Sequence, residues 1–378
     1  MEDRTIQEAF KLVPKVTFEH SSFDEGEKKL LKKKSIGNLP NTLVLEDQYV
    51  GIEIEVENVR GSMPNPEVFW GVDIDNSLRN NGLEFRSIPM KGKRILYALE
   101  EFMNKLKLSN FHFSPRTSIH IHFNVLDWTL EIVKRLFIIY LVFEKSLYKF
   151  VGKDRETNIF CLPVLSSGSL ENIIANMSYS SLKFWGNKYF GFNLVAIFLF
   201  GTVEVRHLGG TDKTDTIVNW LNIWFKMIQA AKRMTTKELL DLVINLNTSS
   251  NYYGFSSMIF GEYLHLLDIK DLPKSMEEGV MCVKYGYISQ EFANKLKEEC
   301  SVKSPAFRCM EKMKLLVQNN SNGGAQFNIP REAVMEVVRG RAFRINQGLV
   351  DQNVWFQQND VGRDIQFEPR DLDDIRLR

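Results

Sequence analysis

Cysteine is scarce: the 378 residues contain four, Cys161, Cys282, Cys300 and Cys309, at spacings that fit neither a zinc knuckle nor a CxxC redox pair. They read as free thiols in a reducing compartment, and a disulfide framework is excluded. Charge of one sign is missing too. The 48 Lys+Arg and 47 Asp+Glu leave a formal +1, without the basic excess that marks binding to nucleic acid or an anionic membrane. There is no long apolar run: Leu136 to Phe143 is bracketed by Lys134-Arg135 and Glu144-Lys145, well short of the roughly 18 residues that span a bilayer. The chain also has no GxxxxGK[ST] phosphate loop, no GxGxxG after a strand and no GxSxG nucleophile elbow. Gly209-Gly210-Thr211 and Ser167-Gly168-Ser169 fit none of these. Internal repeats and low-complexity tracts are absent. Met1-Glu2-Asp3-Arg4 does not begin the basic-then-apolar pattern of a secretory signal, so a cytoplasmic location is expected, in the host cytoplasm if the chain is phage-encoded.

What is present is an ordinary globular composition, 44% hydrophobic and 25% charged, with length for two or three domains at roughly 150 residues each. Residues 1–45 are a polar N-terminal extension whose lysines 28, 29, 32, 33 and 34 read as the solvated face of a short helix. Residues 46–235 carry the patterned core, 236–350 a mainly helical C-terminal region with a polar loop at 319–324, and 351–378 a polar, acid-rich tail.

In the core, Gly51-Ile52-Glu53-Ile54-Glu55-Val56-Glu57 alternates between aliphatic and acidic residues, the period of a strand with one apolar and one polar face. Three more segments share that texture. Gly82-Leu83-Glu84-Phe85-Arg86-Ser87 pairs Glu84 with Arg86. Ser118 to Val125 puts Ser118, His120, His122 and Asn124 opposite four apolar residues. Thr202-Val203-Glu204-Val205-Arg206 aligns Glu204 with Arg206 after the apolar run Val195 to Phe200. Helical spacing marks Ile95 to Leu106, Thr129 to Phe150 behind a cap at Asp127 or Thr129, and Ile217 to Ile228, with further helices at Lys237 to Asn245 and Gln290 to Glu299. These stripes read as core.

If the apolar strand faces pack under helices, the opposite faces gather Glu53, Glu55, Glu57, Glu84, His122, Glu204 and Arg206. Carboxylates so crowded raise each other's pKa unless cations sit among them. Oxygen donors with a histidine nitrogen suit Mg²⁺ or Mn²⁺, which suit a nucleoside triphosphate. A single such strand is more simply a solvated sheet face; four together favour a site. His120 and His122, two apart in a strand, point into one cleft. His207 falls on the opposite face from Glu204 and Arg206, and His20, His112 and His265 read as structural or surface residues.

These residues resemble a known family. Val50-Gly51-Ile52-Glu53-Ile54-Glu55, Asp75-Asn76-Ser77-Leu78, Gly82 to Ser87 with Pro89 and Gly92, Ser118 to His122, Arg155 to Cys161, and Tyr189 and Asn193 followed by Gly201 to Arg206 and Gly210-Thr211-Asp212 resemble, in order, the motif blocks of phage and bacterial amidoligases. That family is one of the carboxylate-amine ligases related to glutamine synthetase and glutamate-cysteine ligase. Asn76 stands where the group often has Gly, and residues 1–45 and 240–378 have no counterpart. The resemblance covers about 48–235.

It implies an α+β fold with a curved, mainly antiparallel, glutamine synthetase-like sheet covered by helices on one face. It also implies an ATP-dependent ligase in which a carboxylate attacks the γ-phosphate to form an acyl phosphate and an amine then displaces phosphate. In that reading Glu53, Glu55, Glu84 and Glu204 hold Mg²⁺ or Mn²⁺, and His122 is an added ligand or phosphate contact. Arg206 neutralises the transferring phosphoryl group, with Arg155 a second phosphate contact. Asp75, Ser77, Tyr189 and Asn193 meet a small-molecule or peptide carboxylate or amine, and a homo-oligomer is compatible. The competing readings are an inactive ligase-fold binding or phage structural protein and a guanidino phosphotransferase.

Overall fold

A computed structural model describes residues 4–12, 43–44, 47–60, 69–75, 77–166 and 188–299, with side chains to residue 288. The lysine cluster at 28–34, His20, Asn76, Ser167-Gly168-Ser169, Cys300, Cys309, the 319–324 loop and the tail from 351 lie outside the described residues.

Among the described residues seven strands form the sheet: β1 (Val50–Arg60), β2 (Trp70–Ile74), β3 (Leu83–Ser87), β4 (Asn110–His112), β5 (Ser118–Asn124), β6 (Phe192–Asn193) and β7 (Thr202–Gly209). Their order is β2-β3-β1-β5-β7-β6, with β4 on the far end of β1, and the pairs are antiparallel. The four alternating segments are therefore neighbours. Strict alternation has a simple consequence here. Ile52, Ile54, Val56, Phe85, Ile119, Ile121, Phe123, Val203 and Val205 are buried on one face, leaving the polar set to the other. β4 and β6 are too short to show a period, and β2, as long as β3, is exposed beyond Trp70. Asn80 and Asn81, both with positive φ, turn the chain back into β3, a conformation asparagine tolerates better than most residues.

The helices are α1 (Ile6–Phe10), α2 (Lys93–Leu106), α3 (Leu130–Val151), α4 (Lys153–Glu156), α5 (Ala196–Phe200), α6 (Thr214–Arg233), α7 (Thr236–Ile244), α8 (Ser249–Phe260) and α9 (Leu272–Glu299). Thr129 takes the N-cap position of α3 without a side-chain cap bond. Aromatic contacts tie α2, α3 and α6 to the apolar sheet face: Trp70 and Phe85 on Phe102, Phe123 on Trp224 and Phe225, and Phe192 on Tyr140 and Trp224. The protein is thus α+β, an antiparallel sheet with helices on one side. No helix among the described residues is long and apolar enough to cross a membrane.

Beneath the sheet lies a polar knot. The Tyr140 hydroxyl donates to the Glu144 carboxylate, which also accepts from the backbone N–H of Val164 and, at 2.8 Å, of Leu165. His207 Nε2 is 3.1 Å from the Tyr140 oxygen and its ring is wholly buried, as its strand face predicted. Burial pushes Glu144 up to about 7 against the pull of those hydrogen bonds. Burial and the nearby Arg155 guanidinium push His207 down to about 3.

Stability then depends on pH with a definite sign. His207 binds its proton less readily folded than at its ordinary 6.5, so its contribution is lost as pH falls from 6.5 towards 3. Glu144 binds its proton more readily than at its ordinary 4.5, so its contribution is lost as pH rises from 4.5 through 7. The two oppose each other between 4.5 and 6.5, and of the pair only His207 acts below 4.5, where the depressed Glu53 and Glu204 titrate equally in variant and parent. His207→Gln is expected to shrink the fall in stability between pH 4.5 and 3 by about 2 kcal/mol. Urea unfolding of variant and parent at both pH values measures it, and equal falls would contradict the assignment.

Candidate functional site

Sheet register assembles the polar face. Across the ladders Glu53 sits opposite Arg86 and His120, Glu55 opposite Glu84, His122 opposite Glu204, and Glu204 opposite Asn193. Directly opposed side chains lie within reach of each other, so residues up to about 150 positions apart converge.

Glu53 is the hub. Its carboxylate is 3.0 Å from His120 Nδ1 and 3.4 Å from His122 Nε2. Glu204 Oε1 lies 3.6 Å from His120 Nδ1 and 3.9 Å from His122 Nε2, and also pairs with Arg206. Thr202 Oγ1 meets His122 Nδ1 at 2.9 Å, which turns Nε2 towards the carboxylates. That Nε2 is buried and has no aligned hydrogen-bond partner.

The electrostatics are uneven. Burial works against ionising Glu53, but His122 and His120 outweigh it and hold its carboxyl well below the usual range. Glu204 is likewise lowered, against its burial, by His122, His120 and Arg206. His122 is raised, against its burial, by Glu53 and Glu204. Glu84 goes the other way, pushed up to about 9 by burial and then by the charges of Glu53, Glu55 and Asp75.

Two groups of donor atoms, Glu53–His122–Glu204 and Glu53–Glu84–His120, each lie within 4.8 Å of one another. Carboxylate oxygens with an imidazole nitrogen, one of them buried and unbonded, fit a divalent cation of the Mg²⁺ or Mn²⁺ type. A cation there would also relieve the crowding that raises Glu84.

Several expected residues are placed differently. Glu55 belongs to neither donor group: the N–H and hydroxyl of Ser118 both donate to its Oε2, at 2.8 and 2.7 Å. Arg155, expected to contact phosphate, is buried, and its Nε and Nη2 donate at 2.8 Å to the carbonyls of His207 and Arg206. The β5–β7 register shifts between Ile119 and Ile121, opposite those two residues. Arg155 therefore braces the bulge at Arg206 and His207 by holding both of its carbonyls. Asn193 donates to Glu204 Oε2 at 2.7 Å and accepts from the Val195 N–H, which makes it a brace for Glu204. Asp75 takes the N–H and hydroxyl of Ser77 in a local turn. Tyr189 is partly exposed and edge-on to Phe160.

Three residues at the site carry no role in the sequence reading. His120 is read as facing the cleft yet sits at its centre, with Nε2 2.7 Å from Ser118 Oγ. Ser118 shares the polar face by alternation, a signal that was there to use. Arg116, in the Ser114-Pro115-Arg116-Thr117 turn, has no periodic signal. It joins Glu55, Ser77, Ser118, Phe160 and Arg206 around a small cleft beside the cluster.

With this geometry in hand, comparison with known proteins gives one family. Residues 73–225 match a family described as "Putative amidoligase enzyme". The resemblance read from the motifs stands. The amidoligase match takes in Glu84, His120, His122, Glu204 and Arg206 and begins after β1, so Glu53 and Glu55 join these residues through strand pairing. The family matched is one of ligase-type enzymes, and that is the general class these residues are similar to. A crystal structure described as a novel glutamine synthase homolog covers 71% of this chain and 71% of its own, at 12% identity and a TM-score of 0.27, a likeness that carries no argument. No curated protein matches.

Proposed function

We propose that this chain is an ATP-dependent carboxylate-amine ligase with a glutamine synthetase-like catalytic sheet, forming an amide or isopeptide bond through an acyl phosphate. The observation that carries the reading is the convergence of Glu53, Glu84, Glu204, His120 and His122 from four adjacent strands into two cation-sized groups. Bound there, Mg²⁺ or Mn²⁺ would screen phosphate charge and orient the phosphoryl oxygens. Glu53, Glu204 and His122 would hold one ion, and Glu53, Glu84 and His120 the other.

The remaining residues supply positioning and charge, the main demands of phosphoryl transfer. Arg206, oriented by Glu204 and the Phe160 carbonyl, would face the transferring group with a planar fork of donors suited to phosphate. Asn193 and Thr202 keep Glu204 and His122 in place. The carboxylate attacks phosphorus, ADP leaves, and the amine nitrogen displaces inorganic phosphate from the acyl carbon, losing its proton.

The test is ADP release. Protein with Mg²⁺–ATP and a metabolite extract is expected to form ADP, phosphate and a new amide detectable by mass spectrometry, and Glu204→Gln is expected to lose this by about 10²-fold or more. ADP with a phosphorylated guanidine and no amide would indicate the phosphotransferase. Absence of Mg²⁺-dependent nucleotide binding would indicate a non-catalytic binding protein.

A further inference from the structure

With Arg155 committed to backbone carbonyls, the cleft still holds two cationic side chains, Arg206 and Arg116. Both meet Phe160. Arg206 Nε donates to its carbonyl at 3.2 Å, and the Arg116 guanidinium lies 5.0 Å from its ring centroid. One Arg116 nitrogen, Nη2, donates to the Ser77 carbonyl at 2.7 Å, which anchors one end of the group. Its Nε is buried and has no hydrogen-bond partner. No acidic group is recorded in an ion pair with Arg116 among the described residues, although Glu55 lines the same cleft with its Oε2 taken by Ser118. A guanidinium held over an aromatic ring, with a buried donor left over, has the fork of donors that can receive two oxygens of one anion.

We infer that Arg116 is the second cation of this site and binds an oxyanion of the reactants in the cleft between Ser77, Phe160 and Arg206. The inference rests on the ligase reading for which reactant supplies the oxyanion, the terminal phosphoryl group of the nucleotide or the carboxylate substrate. It does not rest on that reading for the existence of the site. Charge explains why the site needs Arg116 as well as Arg206: Arg206 is already paired with Glu204, so much of its charge is answered by the protein. The turn that carries Arg116 is itself held firmly. Arg116 N–H bonds Ser114 Oγ, the Thr117 hydroxyl bonds the Ser114 carbonyl, and the Asn158 amide and Arg155 bond the Pro115 carbonyl.

The experiment compares the full chain with Arg116→Gln and Arg116→Lys, using four probes by calorimetry: Mg²⁺–ATP, Mg²⁺–ADP, inorganic phosphate, and glutarate in the presence of Mg²⁺–ADP. If the oxyanion is the terminal phosphoryl group, Arg116→Gln weakens Mg²⁺–ATP about tenfold or more and leaves Mg²⁺–ADP unchanged. If it is the substrate carboxylate, both nucleotides bind as before and glutarate binding is lost. In either case Arg116→Lys recovers part of the loss, because a point charge replaces a fork. Should the parent bind no nucleotide, the ligase reading fails separately, and phosphate binding that disappears in Arg116→Gln still supports the anion site. Thermal unfolding of each variant reports on folding. A lowered melting temperature with all probe affinities unchanged, or a parent that binds none of the four, overturns the inference and leaves Arg116 a structural counter-charge.

Discussion

Glu53→Gln is expected to abolish Mg²⁺-dependent ADP formation, a loss of about 10³-fold or more, because Glu53 belongs to both donor groups. The metal-free protein offers a second readout that does not depend on knowing the substrate. Glu53 is held ionised by His122 and His120, which outweigh its burial. Its pKa is depressed, so its stabilising contribution is present above 4.5, and the variant loses it at neutral pH; melting in EDTA should fall. Glu84→Gln should do the opposite. Burial and neighbouring carboxylates push Glu84 up to about 9, so at pH 7 the folded chain already favours the neutral form, and the amide imitates it. Melting in EDTA is expected to rise or hold while Mg²⁺ affinity falls. Melting curves with EDTA and with Mg²⁺ for both variants decide this, and shifts of the same sign without metal would refute the charge distribution.

Gly279→Ala is expected to destabilise the protein by about 3 kcal/mol. Gly279 lies where α9 crosses α3, and a Cβ there would stand 1.9 Å from the Leu141 carbonyl oxygen and 2.8 Å from the Val142 Cα. These are backbone atoms that cannot turn aside, so the helices must separate. The effect should reach the buried polar knot, because α3 carries Tyr140 and Glu144, whose bonds hold Val164 and Leu165. Chemical denaturation measures the loss. A change under 1 kcal/mol would mean that the helix pair yields easily at this crossing.

How much of this was legible beforehand follows from period and range. β1, β3, β5 and β7 announce themselves because strict alternation survives in any half-buried strand, and α3 and α6 do so by apolar spacing. Glu53, Glu84, His122 and Glu204 follow, since a polar residue on an otherwise buried strand must face the other side. Arg155 is the instructive departure. In sequence it is an arginine in a motif-like segment, and only the register shift between β5 and β7 shows that two carbonyls of the bulge need its donors. Asn193 departs for a similar reason, as its partner Glu204 is a cross-strand neighbour.

The scarcity of cysteine, the balanced charge and the missing nucleotide loops had left anionic ligands, if any, to be held by side chains and cations. Composition and alternation by themselves determined that there would be a two-faced sheet with a carboxylate-rich side, because burial of aliphatic residues forces their neighbours outward. Only the tertiary structure decided which carboxylates meet which histidines, and that Glu55 is held by Ser118. It also decided that Arg116 keeps a buried donor without a partner, while Arg155 is committed to backbone carbonyls. Those outcomes depend on register, a bulge and the packing of distant turns, and local sequence carries no energy term for any of them.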